Sequence, residues 1–253
     1  MNGLKLIIVD LDNTLLRHDK SISDYTRSII QRAKSLAIKI AFASARGPSA
    51  QALIDEGIFD AYCLYNGAII FADGRRIKEN LISAEIYRPV LEKFDARGLR
   101  VGIEIDAHHF VNFDIRQTWP NIQNFTRGNF NQLKTASAEK IYVLSRDPKE
   151  LNFIRENLAI GLHCDISRDG MAMIMSENAN KGKALRTLAA YYDIDLSEVA
   201  AFGDDSNDLE MLRIAGCGIA MKNAIPELKK VADEICSSND EDGVAKWIHQ
   251  RLL

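Results

Sequence analysis

Cysteine is scarce in this 253-residue chain: Cys63, Cys164, Cys217 and Cys236 stand far apart, with no CxxC pair and no histidine at zinc-ligand spacing. That argues against a disulfide framework or a structural zinc site and points to reduced thiols. No block of lysine and arginine stands out and the formal net charge is −3, so nucleic acid finds no electrostatic footing. No apolar run reaches the roughly 20 residues that span a bilayer. The chain enters its first apolar stretch, LKLIIV, without a basic leader or cleavage signal. There is no repeat and no low-complexity tract. The expectation is a soluble cytoplasmic protein with no nucleic-acid or membrane partner, a monomer or homodimer. An apolar share of 47% and a charged share of 26% suit an ordinary globular chain. The length allows one large domain or two smaller ones.

Element patterns favour two. Residues 4–9 form a short, β-branched apolar run of the kind found in a buried parallel strand. A helix over 21–37 with Ser23 as N-cap follows, then a strand over 38–43 and a helix over 48–56 opened by Pro48. Runs 61–65 and 68–71 flank Asn66-Gly67, with Asp73-Gly74 just beyond, which predicts a hairpin. After about residue 82 the pattern changes. A helix over 83–96 precedes strands over 99–105 and 108–113, an irregular aromatic stretch over 116–137, a strand over 139–144, a helix over 148–157 and strands over 160–165 and 171–175. From 181 the strand–helix alternation resumes: helices over 181–192, 206–214, 224–232 and 242–252, with strands over 198–202 and 217–220. The simplest account is an α/β parallel-sheet core made from both ends of the chain (1–82 and 179–253), interrupted by an α+β module at 83–178.

Carboxylates cluster where buried strands end. Asp10 and Asp12 follow LIIV, Asp204 and Asp208 follow VAAFG, Ser44 closes IKIAFA, and Lys181 opens a helix in NANKGKAL. In open α/β sheets, ligands collect beyond the carboxyl ends of the strands, so these distant residues converge if their strands are neighbours. A carboxylate can attack a phosphate ester, and a cation is then needed because both partners are negative. Mg²⁺ suits such an oxygen-only site. Asp10, first past its strand, reads as the nucleophile; Asp12 is placed to protonate the leaving oxygen and then activate water. Asp204 would ligate the metal, and Asp208 would either ligate it or orient ligands or Lys181. The Ser44 hydroxyl and neighbouring backbone N–H groups can hold phosphate oxygens, and Lys181 adds a point charge near a helix N-terminus.

The blocks DLDNTLL, FASARGP, NANKGKAL and GDDSNDLEML, in this order, resemble the four motifs of the haloacid dehalogenase (HAD) superfamily of phosphatases. The module at 83–178 is similar to the C2-type cap of its Cof-like, subclass IIB members. The resemblance spans essentially the whole chain. It implies a HAD-like Rossmannoid core with a C2B cap, and a phosphatase that hydrolyses a small phosphorylated metabolite through an aspartyl-phosphate. A sugar phosphate comes first, a phosphorylated cofactor or nucleotide next. It implies Asp10 as nucleophile, Asp12 as acid/base, and Mg²⁺ held by Asp10, the Asp12 main-chain carbonyl and Asp204. Ser44, Ala45, Lys181 and Asn207 fall at phosphate-holding positions, with Asn207 and Asp208 also supporting the metal side. Three positions depart from the family pattern: Asn13 where Gly is usual, Ala45 where Gly is common, and Asp205 where a small residue is frequent. A cap of this size would close over the site and limit it to small substrates.

Other readings compete at each position. A phosphomutase would use the same intermediate. A phospho-accepting signalling module would use the same residue types but is about half this length and carries its acidic pair adjacent. A dehalogenase needs no acidic cluster at 204–208, and a silent metabolite-binding module would keep the site without turnover. Asp205 divides between metal neighbourhood and solvent, and Arg46 between substrate contact and ion pair. Asn66 reads first as a turn residue and second as a substrate contact. His108 and His109, adjacent on a strand, face opposite ways and are no metal pair. Met171, Met173 and Met175 should share one packing layer. Trp119, Phe125, Arg127 and Phe130 belong either to the core of the module or to substrate selection.

Overall fold

The computed structural model describes residues 3–55, 57–133, 135–167 and 170–252. In chain order the first elements are β1 (Leu6–Val9), α1 (Asp24–Ser35), β2 (Lys39–Ala43), β3 (Ala61–Leu64), β4 (Ile69–Ala72) and β5 (Arg75–Glu79). Next come α2 (Ala84–Ala96), β6 (Val101–Ile105), β7 (His108–Val111), β8 (Phe125–Arg127), β9 (Lys140–Leu144), α3 (Pro148–Glu156), β10 (Leu162–Ile166) and β11 (Met171–Ser176). The last are α4 (Lys181–Tyr191), β12 (Val199–Gly203), α5 (Leu209–Ile214), β13 (Cys217–Met221), α6 (Pro226–Val231), β14 (Glu234–Cys236) and α7 (Gly243–Leu252). The chain divides into two compact units, Met1–Glu79 with Asn180–Leu253, and Asn80–Ala179.

The first unit holds an eight-stranded sheet in the order β14-β13-β12-β1-β2-β3-β4-β5. The strands from β14 to β3 run parallel and the last two antiparallel. Every residue of β1 and β12 is buried, as expected for central parallel strands read from continuous apolar runs. Ser23 caps α1 by accepting from the Thr26 N–H. Past the end of α1 at Ser35, Ala37 with φ 63° closes the last turn. In the Asn-Gly connection between β3 and β4, Gly67 has φ 101°, and a Cβ there would lie 3.0 Å from the Asn180 carbonyl. Only glycine lets this turn approach the start of α4.

In this unit three elements differ from expectation. The helix expected over 48–56 is a 3₁₀ segment, Pro48–Leu53; its PSAQAL stretch buries only Ala50, too little apolar surface to anchor an α-helix. Glu56, at its expected end, lies outside the described residues. β5 was not anticipated, because RRIKE is an exposed, charged edge strand without an apolar signal. β14 is likewise a short edge strand, EIC.

The second unit is α+β. Its six strands run β10-β11-β9-β6-β7-β8, antiparallel except for β7 beside β8. Alternation divides the faces. Val101, Ile103, Ile141, Val143, Ala172 and Ile174 pack with Tyr87, Leu91 and Phe94 of α2 and Ile154 of α3. A second cluster gathers Val111, Phe113, Ile115 and Tyr142, with Trp119, Phe125 and Met171 against it. The stretch expected to be irregular thus contains β8. It sends Trp119 and Phe125 to the second cluster and Phe130 to the first, while Arg127 stays exposed.

Candidate active site

Parallel pairing sets the site. Val9 is level with Phe202 on one side and Phe42 on the other, so Asp10, Asp204 and Ser44 leave adjacent strand ends at nearly one height. Chain connections run to opposite sides of β1, making the β1–β12 boundary the topological switch of the sheet. Asp10, Ser44, Lys181, Asp204 and Asp208 are all buried. A shared solvated turn does not describe them.

Lys181 is wholly buried at the first position of α4, whose N-cap Asn180 accepts from the Lys183 N–H at 2.7 Å. Its Nζ donates to Asp10 Oδ1 and to Asp208 Oδ1, both at 2.6 Å. The other oxygen of Asp208 accepts the backbone N–H groups of Asp204 (3.0 Å) and Asp205 (3.1 Å). Asp208 therefore has both oxygens engaged in holding the lysine and the loop after β12. Thr14 donates its hydroxyl to Asp204 Oδ1 at 3.3 Å. The Asp205 side chain caps the short turn at Ser206, accepting its N–H at 2.7 Å. Asn13 has φ 59°, a left-handed conformation that asparagine tolerates where glycine is usual.

Electrostatics follow from this packing. Burial pushes the Asp10 carboxyl well above the usual carboxylate range, Lys181 opposes the rise, and Asp208 and Asp204 add to it. Burial works against the charge on Lys181, yet the two carboxylates outweigh it and hold the ammonium above its ordinary value. Three buried carboxylates thus lie close to one buried cation, which contacts two of them, Asp10 and Asp208. Ligand oxygens of Asp10, Asp204 and Asp208 lie within 4.8 Å of one another. An oxygen-only donor set with excess negative charge fits a hard divalent cation.

Asp12 lies apart from the cluster. Arg46 grips it with Nε to Oδ2 at 2.5 Å and Nη2 to Oδ1 at 2.8 Å, and Lys20 Nζ reaches Oδ1 at 2.7 Å. Partial burial would raise its carboxyl, but the hydrogen bonds and charges of Arg46 and Lys20 together hold it below the usual range. The ion pair read for Arg46 is thus present, with Asp12 as its partner. Lys20 had no sequence signal at all. Ser44 Oγ accepts the Arg46 N–H at 3.1 Å, which closes the loop around Ala45. Asn207 donates Nδ2 to Asn66 Oδ1 at 3.1 Å. In the second unit, His109 pairs with Glu104 and with the Tyr142 hydroxyl while His108 meets Thr126, so the two histidines serve different neighbours.

A family model of haloacid dehalogenase-like hydrolases matches residues 7–248. The chain belongs to that family. A 5-amino-6-(5-phospho-D-ribitylamino)uracil phosphatase of Bacillus subtilis is 29% identical over 281 residues, with 98% of each chain covered. A phosphatase of the haloalkanoate (HAD) enzyme superfamily from Bacteroides thetaiotaomicron has a solved structure that superposes with a TM-score of 0.88. It is 25% identical, covering 98% of this chain and 95% of that one. A HAD subclass IIB sugar phosphatase matches with a TM-score of 0.85 at 21% identity, over 97% and 98% of the two chains, which shows a shared fold. This HAD chain therefore has a Cof-like architecture, and the expected fold class holds. Among the described residues, no helix is long and apolar enough to cross a membrane.

Proposed function

We propose that this HAD chain is a Mg²⁺-dependent phosphatase of small phosphorylated metabolites, with a sugar or polyol phosphate first and a phosphorylated cofactor or nucleotide next. The observation that carries the reading is the buried group of Asp10, Asp204 and Asp208 around Lys181 at the ends of β1 and β12. Relatives named as phosphatases, one acting on a phosphorylated ribityl compound, support the substrate class.

In the proposed reaction, an Asp10 oxygen attacks phosphorus and the bond from phosphorus to the leaving oxygen breaks. Asp12 delivers a proton to that oxygen. Asp12 then takes a proton from water as the water oxygen attacks the phosphoaspartate; the bond from phosphorus to Asp10 breaks and inorganic phosphate leaves. The contacts of Asp12 with Arg46 and Lys20 favour its ionised form, which suits the second step. Protonation for the first requires those contacts to loosen. Lys181 keeps Asp10 oriented and offsets charge on the phosphoryl oxygens, while Ser44 and the N–H groups around Ala45, with Asn207, hold those oxygens. Asp10, Asp204 and the Asp12 main-chain carbonyl would hold Mg²⁺, which supplies positive charge opposite nucleophile and phosphate. Asp208, fully engaged by Lys181 and two N–H groups, is assigned to support. The free cysteines, with Cys63 deeply buried, support a cytoplasmic location.

Purified protein incubated with phosphorylated metabolites should release inorganic phosphate when Mg²⁺ is present. EDTA should stop the release and added Mg²⁺ should restore it. Conversion of the substrate to an isomer without free phosphate would make the chain a phosphomutase instead.

A further inference from the structure

Asn66 does more in this structure than a turn requires. It lies between β3 and β4 at φ 54°, ψ 23° and is 1% exposed. Its backbone N–H donates to the Ser44 carbonyl at 2.7 Å. Its Oδ1 accepts from Asn207 at 3.1 Å. The next residue, Gly67, abuts the Asn180 carbonyl at the start of the helix that carries Lys181. Asn66 and Gly67 together thus join the Ser44 loop, the Asn207 turn and the N-terminus of α4. These are three of the segments that the proposed function assigns to the phosphoryl group.

Its remaining side-chain polar atom, the buried Nδ2, finds no partner among the described residues. Buried amide donors are nearly always paired, and leaving one unpaired is costly. A residue needed only for left-handed backbone could be glycine, or an asparagine whose amide faces water. Here the amide is buried, on a residue held to Asn207 and to the Ser44 carbonyl. Phosphoryl oxygens accept hydrogen bonds, so a bound phosphoester brings the missing acceptor.

We propose that Asn66 is a phosphate-binding residue, giving Nδ2–H to a non-bridging oxygen of the bound phosphoryl group while its Oδ1 fixes Asn207. The assignment rests on the phosphatase reading and extends it to a residue outside the four motif blocks.

The test uses inorganic phosphate as the probe, measured as a competitive inhibitor of Mg²⁺-supported hydrolysis of p-nitrophenyl phosphate. Asn66→Gly keeps the backbone conformation and deletes both side-chain contacts. Asn66→Asp keeps size, turn and the acceptor for Asn207 but lacks the donor. Both variants should weaken phosphate inhibition by roughly 10–100-fold, the effect of one charge-assisted hydrogen bond. The melting temperature of each variant, read beside its inhibition, shows whether it is folded. Asn66→Gly carries no added charge, so it separates donor loss from repulsion. Unchanged phosphate inhibition in a folded variant of an active parent would make Asn66 a turn residue and overturn the assignment. A parent chain that neither hydrolyses the ester nor binds phosphate would overturn the phosphatase reading and this assignment together.

Discussion

Asp208 fills the space that Gly203 leaves open: a Cβ on Gly203 would lie 2.5 Å from both Cβ and Cγ of Asp208. β12 must therefore end in glycine for Asp208 to fold back and accept the N–H groups of Asp204 and Asp205. Gly203→Ala should displace Asp208, loosen its hold on Lys181 and cost about 1–3 kcal/mol of stability. Chemical denaturation with an activity assay checks this; a variant with unchanged midpoint and turnover would show that the close approach is dispensable.

Lys181 is the cation that the buried carboxylates share. Lys181→Met keeps much of the volume and removes the charge, leaving Asp10 and Asp208 without their partner. Breaking a buried pair in this way costs about 3–5 kcal/mol. The expected result is a lowered denaturation midpoint together with loss of phosphate release, read on the same preparation.

Arg46 and Lys20 should separate by geometry. Both contacts to Asp12 are partly exposed, so neither contributes more than about 1 kcal/mol to stability. Arg46 holds Asp12 with two parallel bonds, whereas Lys20 offers one point contact. Arg46→Gln should lower kcat roughly 10–100-fold through misplacement of Asp12, with a smaller loss for Lys20→Gln and little change in Tm for either. Steady-state kinetics on the two variants decides the order.

These contacts show where sequence reading stops. The apolar runs of β1 and β12 announce buried strands, and the carboxylates after them are legible because chemistry must explain charge at a buried strand end. The parallel core and the α+β unit follow from strand–helix alternation and from hairpin spacing. β5 was not legible, since an edge strand of charged residues carries no burial signal. β8 was hidden because three residues, FTR, are too short to show a period. Lys20 reaches Asp12 across the turn between β1 and α1, with φ 68° at Lys20 itself. No periodicity encodes that contact. The Asn66–Asn207 pairing joins residues 141 positions apart and depends on sheet order.

Glu139 gives the second unit a pH dependence. Its carboxylate is buried and accepts the Asp106 N–H, and burial, with a contribution from Glu104, pushes it up from 4.5 to about 7. Since the folded state raises this value, the native chain holds a proton that the unfolded chain has already released between pH 4.5 and 7. Stability from this group is therefore complete below pH 4.5 and lost as pH rises through 7, by roughly 3 kcal/mol. Glu139→Gln should match the parent chain at low pH and exceed it above pH 7. Melting curves from pH 4 to 8 give the comparison, and a constant difference across that range would reject it.

The most direct measurement is the rate of p-nitrophenyl phosphate hydrolysis, with Mg²⁺, by the parent chain and by Asp10→Asn. The substitution preserves shape and leaves Lys181 paired with Asp208, so the variant should stay folded while hydrolysis falls to background. Hydrolysis by Asp10→Asn at the parent rate would contradict Asp10 as the nucleophile and, with it, the account of the site.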